Sequence, residues 1–312
     1  MGDKAKRSFG IVTDSVADLP YELYRAHDIR VVPLRVNIDG DEYRDGVDVG
    51  PIGYLDKMAH ARALPVTSQP SPADILAAYE QLIDEGYGQI LSLHLAGSIS
   101  GTCSTAHMVA RQVIEKHPGV RIEVVDTATA SIGQGEVVLE CALIAERGGS
   151  MNEALSYVRS TAGKIQFLFI PGTFDNLVKS GRVSRLVGAA AGMLNIKVVI
   201  RTCEDCHMEV AHKARGMKNA MKWAANALVE RSRLLGPLVY YSLQSNARDR
   251  LEEFEHILAK TDFQGRLLSF APIGPVIATH IGLGAIGIVS MPESLHDKAL
   301  DGLGEALERG FA

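Results

Sequence analysis

Short apolar runs alternate with amphipathic stretches through the first half of the chain. Residues 9–13 read as a strand, and Asp18, Leu19 and Pro20 open a helix behind it. Residues 29–36 read as a second strand. The clearest helix spans 72–86: Ser71 precedes it, Pro72 takes its first position, and Asp74 completes a capping-box pattern. Its apolar residues Ile75, Leu76, Tyr79, Leu82 and Ile83 recur at helical spacing. Strand 89–95, helix 101–116, strand Arg121–Asp126 and helix 133–147 follow, the last ended by Gly148 and Gly149. Strands separated by helices imply a parallel sheet with helices on its faces.

The pattern changes near Lys164. Gln166–Ile170 is strand-like, 174–179 and 185–194 are helical, and Ile196–Thr202 with 207–211 reads as a hairpin around Cys203 and Cys206. A long helix covers 214–231, with Met217, Met221, Ala224, Ala225 and Leu228 on its apolar face. Segments 238–242, 246–260, 266–269 and 276–280 complete the pattern. A hairpin among helices implies a mixed sheet. We therefore expect a two-domain α/β protein, with a parallel α/β N-terminal domain over 8–163 and a second α/β domain with a mixed sheet over 164–312. A chain of 312 residues gives each domain its own core.

A net charge of −5 and the absence of like-charge runs argue against a nucleic-acid partner. Met1–Ser8 is polar, and no uninterrupted apolar span approaches about 20 residues, so a cytoplasmic protein without stable membrane insertion is expected. Four scattered cysteines (Cys103, Cys141, Cys203 and Cys206) fit a reducing compartment.

Three hydroxyl-rich clusters fall where strands give way to helices, the place where open α/β sheets bind ligands. They are Thr13-Asp14-Ser15, Thr67 through Ser71, and Ser98 through Thr102. Each alone is an ordinary set of helix caps; three in one half-chain point to a site. The amides of Gly101 and Thr102 open a helix, which favours an anion. Near the other end, Gly282, Gly284 and Gly287 spell a formal G-x-G-x-x-G beside His280. A dinucleotide fingerprint needs a helix at the third glycine, whereas Gly287 runs into strand-like residues. Close backbone approach is the simpler role for these glycines. Cys203, Cys206 and His207 match the haem-attachment pattern, but they flank a hairpin turn with no second ligand pair nearby, so neither metal nor haem is expected. His212, Lys213, Arg215, Lys218 and Lys222 put a positive stripe at the start of the 214–231 helix, where the dipole disfavours cations.

These residues together resemble the DegV family, the fatty-acid-binding subunits of the bacterial fatty acid kinase system. The likeness runs from about Phe9 to Ile288. Besides the three clusters it is carried by Val125-Asp126-Thr127, Gly181-Arg182-Val183-Ser184 and the segment from His280 to Ala285. It implies two α/β domains with the acyl chain buried between strands and helices. The carboxylate is then held by Thr67, Ser100 and His280 with the Gly101 amide, and Ser68, Thr102 and Gly282 are further candidates for the pocket. It also implies an ATP-dependent, DhaL-type kinase partner, touched by an arginine that Arg215 matches best, with Lys213 and Lys218 beside it. The chain departs from the family at Ala96-Gly97, where a serine pair is common, at Cys103, where a tyrosine is common, and at Leu283, where a proline is common. These departures bear on acyl-chain preference.

Elementary energetics suit a lipid. Burying about fifteen methylenes offers roughly 12 kcal/mol before ordering costs, and a few hydrogen bonds orient the carboxylate. Such a carrier needs no catalytic residue and no cofactor beyond the bound fatty acid. Two other readings compete. Ser100 as nucleophile with His280 as base would make an acyl hydrolase, although no G-x-S-x-G elbow or orienting acid is evident. Gly282 through Gly287 would otherwise serve a dinucleotide-dependent oxidoreductase.

Overall fold

The computed structural model describes residues 7–173, 175–182, 195–204 and 206–302. In chain order the first half runs β1 (Gly10–Asp14), α1 (Tyr21–Ala26), β2 (Ile29–Val32), β3 (Arg35–Ile38), β4 (Asp41–Arg44), α2 (Pro51–Ala59), β5 (Val66–Ser68), α3 (Pro72–Asp84), β6 (Gln89–His94), α4 (Thr102–Lys116), β7 (Arg121–Asp126), α5 (Ile132–Glu146) and α6 (Met151–Thr161). The second half runs β8 (Gln166–Ile170), α7 (Asp175–Ser180), β9 (Ile196–Thr202), β10 (Met208–Arg215), α8 (Met217–Leu235), β11 (Leu238–Gln244), α9 (Arg248–Leu258), β12 (Gly265–Pro272), α10 (Pro275–Ile281) and β13 (Ile286–Pro292).

The expected α/β class is present. Strands β2-β1-β6-β7 form an all-parallel sheet. Strands β10-β9-β8-β13-β11-β12 form a mixed sheet in which only β11 and β12 pair in parallel. The single strand expected over 29–36 is two strands. Pro33 supplies no N–H and separates β2 in the parallel sheet from β3, which joins β4 and β5 in a separate three-stranded antiparallel sheet. Helices α2 and α6 were not anticipated. Residues 276–280 lie within helix α10. The helical stretch expected over 185–194 lies outside the described residues, as do Val183 and Ser184.

Local chemistry explains the helix boundaries. Ser71 Oγ accepts from the Asp74 amide at 3.1 Å, and Asp74 accepts from the Ser71 amide at 3.2 Å, with Pro72 following. Helix α3 buries Ile75, Ala78, Tyr79 and Leu82, while Leu76 faces solvent. Helix α5 is buried on every side. A helix buried all round belongs between layers, and α5 lies between the two large sheets, burying Gln134, Glu136 and Glu140 along with its apolar residues. The inner faces of both sheets join it in one core, Ile11, Leu91 and Leu93 from the first and Phe167, Phe169 and Val289 from the second. The outer face of the parallel sheet packs under α3 and α4, and that of the mixed sheet under α8 and α9.

The first hydroxyl cluster turns inward. Asp14 Oδ2 accepts from the Leu95 amide at 3.0 Å and meets His94 Nδ1 at 2.9 Å. His94 Nε2 meets Ser92 Oγ at 2.8 Å, and Tyr79 donates to the same Ser92 oxygen. Thr13 Oγ1 donates to the Leu93 carbonyl and Ser15 Oγ to Asp45 Oδ2, both at 2.8 Å, so the three residues tie β1 to β6 and to the segment after β4, away from the cavity formed by the other two clusters.

The positive stripe is also relocated. Strand β10 continues through Arg215, and Gly216 at φ +81° separates it from α8. This left-handed conformation suits glycine. Lys213 and Arg215 thus stand exposed on an edge strand, and only Lys218 and Lys222 of the five lie on the helix. The helix-dipole argument does not apply to Arg215. Charges on an edge strand instead discourage strand-to-strand aggregation.

Candidate functional site

The segments carrying the other two clusters meet α10 around one cavity of about 310 Å³. Strand β5 delivers Thr67 and Ser68, the loop after β6 delivers Ser100 and Gly101 at the start of α4, and α10 delivers His280 from its last turn. Helix α10 belongs to the second half of the chain but packs on α2, β3 and β5 of the first. A hydrogen bond between Tyr54 Oη and Thr279 Oγ1 fixes its rotation. Gly282, at φ +80°, then ends the helix.

At the polar end, Thr67 Oγ1 and His280 Nε2 lie 3.0 Å apart. Ser100 Oγ lies 2.9 Å from Thr102 Oγ1 and accepts from the Thr102 amide at 3.3 Å. Gln69 is held by its amide donating to Thr105 Oγ1 at 2.9 Å. The His280 Nδ1 atom is buried and meets no partner among the described residues. Burial, with the Arg182 charge adding to it, pushes the His280 pKa down to about 4, so the imidazole is neutral at pH 7. The hydroxyls of Thr67 and Ser100, the Gly101 backbone just before α4 and the Arg182 cation line a donor-rich end suited to an anion.

The remaining walls are apolar. Leu34, Leu95, Ile99 and Ala130 come from the first half, and Phe167, Phe169, Met208, Val276, Ile277 and Ile281 from the second. The ladder gives the cavity its direction. Ile170 of β8 pairs with Ile286 of β13 towards the His280 end, and Phe167 lies three residues back along β8, towards Thr202, Cys206 and Met208. A cavity of this size, mostly apolar with a few convergent polar groups, has the form of a small-molecule site.

Thr67, Ser68, Ser100, Gly101 and His280 therefore converge on the cavity. Thr102 and Gly282 stand behind its wall: Thr102 is fully buried against Ser100, and the Gly282 carbonyl accepts from Ser245 Oγ at 2.7 Å. Arg182, Phe167 and Phe169 were not among the expected site residues. Arg182 sits within a motif already recognised, so its charge was available as a signal. The two phenylalanines show only as alternate residues of an apolar strand.

The geometry does not favour the competing readings. Ser100 is paired with Thr102 and His280 with Thr67, and no acid orients the free His280 nitrogen among the described residues. The three glycines run from a helix end into a strand, the reverse of a dinucleotide fingerprint. Cys206 faces the cavity wall, while Cys203, His207 and Glu209 bring ligand atoms within 4.8 Å of one another. All three are partly exposed, and Glu209 is also engaged by Arg201 at 2.6 Å. Among the described residues no helix is long and apolar enough to cross a membrane.

Comparison with known proteins agrees with this geometry. The family model described as "Uncharacterised protein, DegV family" matches residues 8–293. A DegV domain-containing protein of Listeria innocua is 33% identical over 286 residues, covering 91% of this chain and 98% of that protein. The solved structure of a DegV family protein from Thermus thermophilus, described by its fatty acid binding, is 31% identical with a TM-score of 0.79, over 92% of this chain and 99% of that one. The Streptococcus pneumoniae fatty acid kinase B3 protein, solved loaded with linoleic acid, shares the fold at 24% identity and a TM-score of 0.74, over 91% of this chain and 99% of that one.

Proposed function

The chain belongs to the DegV family, and on that premise we propose that it buries one long-chain fatty acid and presents the carboxylate to a partner kinase for conversion to an acyl-phosphate. The cavity carries this reading, because one space joins an apolar tunnel along β8 to a donor-rich end. Residues 8–163 and 164–312 supply the two domains between which the ligand lies. Thr67 and Ser100 donate hydroxyl hydrogens to the carboxylate, and the Gly101 amide adds a third donor. His280 donates Nε2–H to Thr67 Oγ1, which leaves the Thr67 hydrogen free for the ligand. Arg182 lowers the cost of bringing a negative charge to the mouth. No residue of this chain is assigned to catalysis. ATP, metal and phosphoryl transfer belong to the ATP-dependent, DhaL-type subunit that the family resemblance implies.

That partner needs a surface near the mouth. Arg215 and Lys213 are exposed on β10, and Lys218 is exposed at the start of α8. Arg215 pairs with Ile196, and the neighbouring Lys197 donates to the Gly172 carbonyl at 3.3 Å. This is the end of the mixed sheet at which β8 ends and β13 begins. Arg215→Glu is expected to leave fatty-acid affinity within about twofold and to slow acyl-phosphate formation by a cognate kinase roughly tenfold at low salt, a gap that narrows as salt rises. Lost lipid binding would make Arg215 structural, and unchanged phosphorylation at every salt concentration would remove it from the docking surface.

A further inference from the structure

The third glycine of the formal G-x-G-x-x-G has a role in the cavity that no nucleotide reading supplies. Gly287 lies on β13 opposite Phe169 of β8, and Val289, two residues on, lies opposite Phe167. Alternation along the strands puts Gly287 on the inner face of the mixed sheet, with Phe167, Phe169 and Val289. The Phe167 ring leans diagonally across that face onto the bare Gly287 backbone. A methyl group at position 287 would overlap Phe167 Cε2, would stand 3.0 Å from Cζ, and would touch Phe169 Cβ at 3.5 Å. The two rings are already packed together, with centroids 5.1 Å apart. Phe167 also lines the cavity at the end remote from His280.

We propose that Gly287 sets the depth of the acyl cavity by letting Phe167 lie flat on the sheet, making Gly287 and Phe167 the pair that determines acyl-chain length. This rests on the fatty-acid reading above. A side chain beneath the ring has the sheet on one side and the cavity on the other. Relief is therefore upward, and the ring moves into the space the end of the acyl chain would fill. The carboxylate contacts lie at the opposite end and are left alone. Removing the ring has the opposite effect and deepens the cavity.

The test measures affinities of delipidated wild type, Gly287→Ala, Phe167→Ala and the double variant for saturated fatty acids of 12, 14, 16 and 18 carbons. In Gly287→Ala the 18-carbon acid is expected to lose at least about tenfold in affinity relative to wild type, while the 12-carbon acid stays within about threefold; a single methylene in a tight apolar pocket discriminates on this scale. Phe167→Ala is expected to shift preference towards longer chains, and the double variant to recover the 18-carbon acid. A uniform loss at every length in Gly287→Ala with no recovery in the double variant, or a length profile unchanged in both single variants, would overturn the proposal. Failure of wild type to bind any of the four acids would instead overturn the fatty-acid reading on which it rests.

Discussion

Ser100→Ala and Thr67→Ala are each expected to weaken fatty-acid binding by about 1–3 kcal/mol, roughly 5- to 150-fold in affinity, the range for leaving a buried hydrogen-bonding group without its partner. Both hydroxyls line the cavity, at its donor-rich end. Neither is a deep structural member of the fold, since both residues are only half-buried. Loss of the Ser100 contact with the Thr102 amide should cost no more than an ordinary helix cap, about 1 kcal/mol of stability. Isothermal titration with palmitate or oleate, alongside denaturant unfolding, separates the two quantities. Wild-type affinity in both variants would reduce these residues to helix caps and move the carboxylate elsewhere.

The second large effect is a pH dependence of stability at His280. In the ligand-free protein its pKa is pushed down to about 4, by burial first and then by Arg182, from an ordinary 6.5. Between those values the unfolded chain takes up a proton that the folded protein refuses. The stability contributed by neutral His280 is therefore complete above about pH 6.5 and is lost as pH falls towards 4. Between pH 7 and pH 5 the wild type should lose about 2 kcal/mol more than His280→Gln. Asp18 and Glu140, both raised to about 7 by burial, act in the opposite sense, because their protonated folded forms favour stability at low pH. They are common to both proteins, so the difference between the two unfolding curves isolates His280. A bound carboxylate favours imidazolium and should shrink that difference. Parallel pH profiles in the ligand-free proteins would show that His280 is not held neutral.

The parts of the fold that were legible in the sequence are those whose local signals stand alone. The capping box at Ser71 and Asp74 marked the start of α3, and the apolar runs of β7 and β8 were found at their observed bounds. Helix α6 carries an equal signal, Ser150 with Glu153, which the glycine pair before it obscured. Strand β10 was cut short because 214–231 is rich in helix formers, and its true end depends on the backbone of Gly216 rather than on any apolar period. The site divides in the same way. Hydroxyls at strand ends were visible as clusters, but nothing local distinguished Thr67 and Ser100, which face the cavity, from Thr13 and Asp14, which tie strands together. Their partner His280 comes from a helix in the second half of the chain, and the family resemblance rather than any spacing brought it to the site. The Phe167 wall needed the register of β8 on β13, which no sequence period reveals.

The most direct test of the central claim is the lipid content of the protein itself. Protein expressed in a bacterium, purified without detergent, denatured and extracted with organic solvent should yield about one long-chain fatty acid per chain by mass spectrometry, and the delipidated protein should take up added oleate or palmitate in the same ratio. An extract free of fatty acid, together with failure to bind either added acid, would contradict the account.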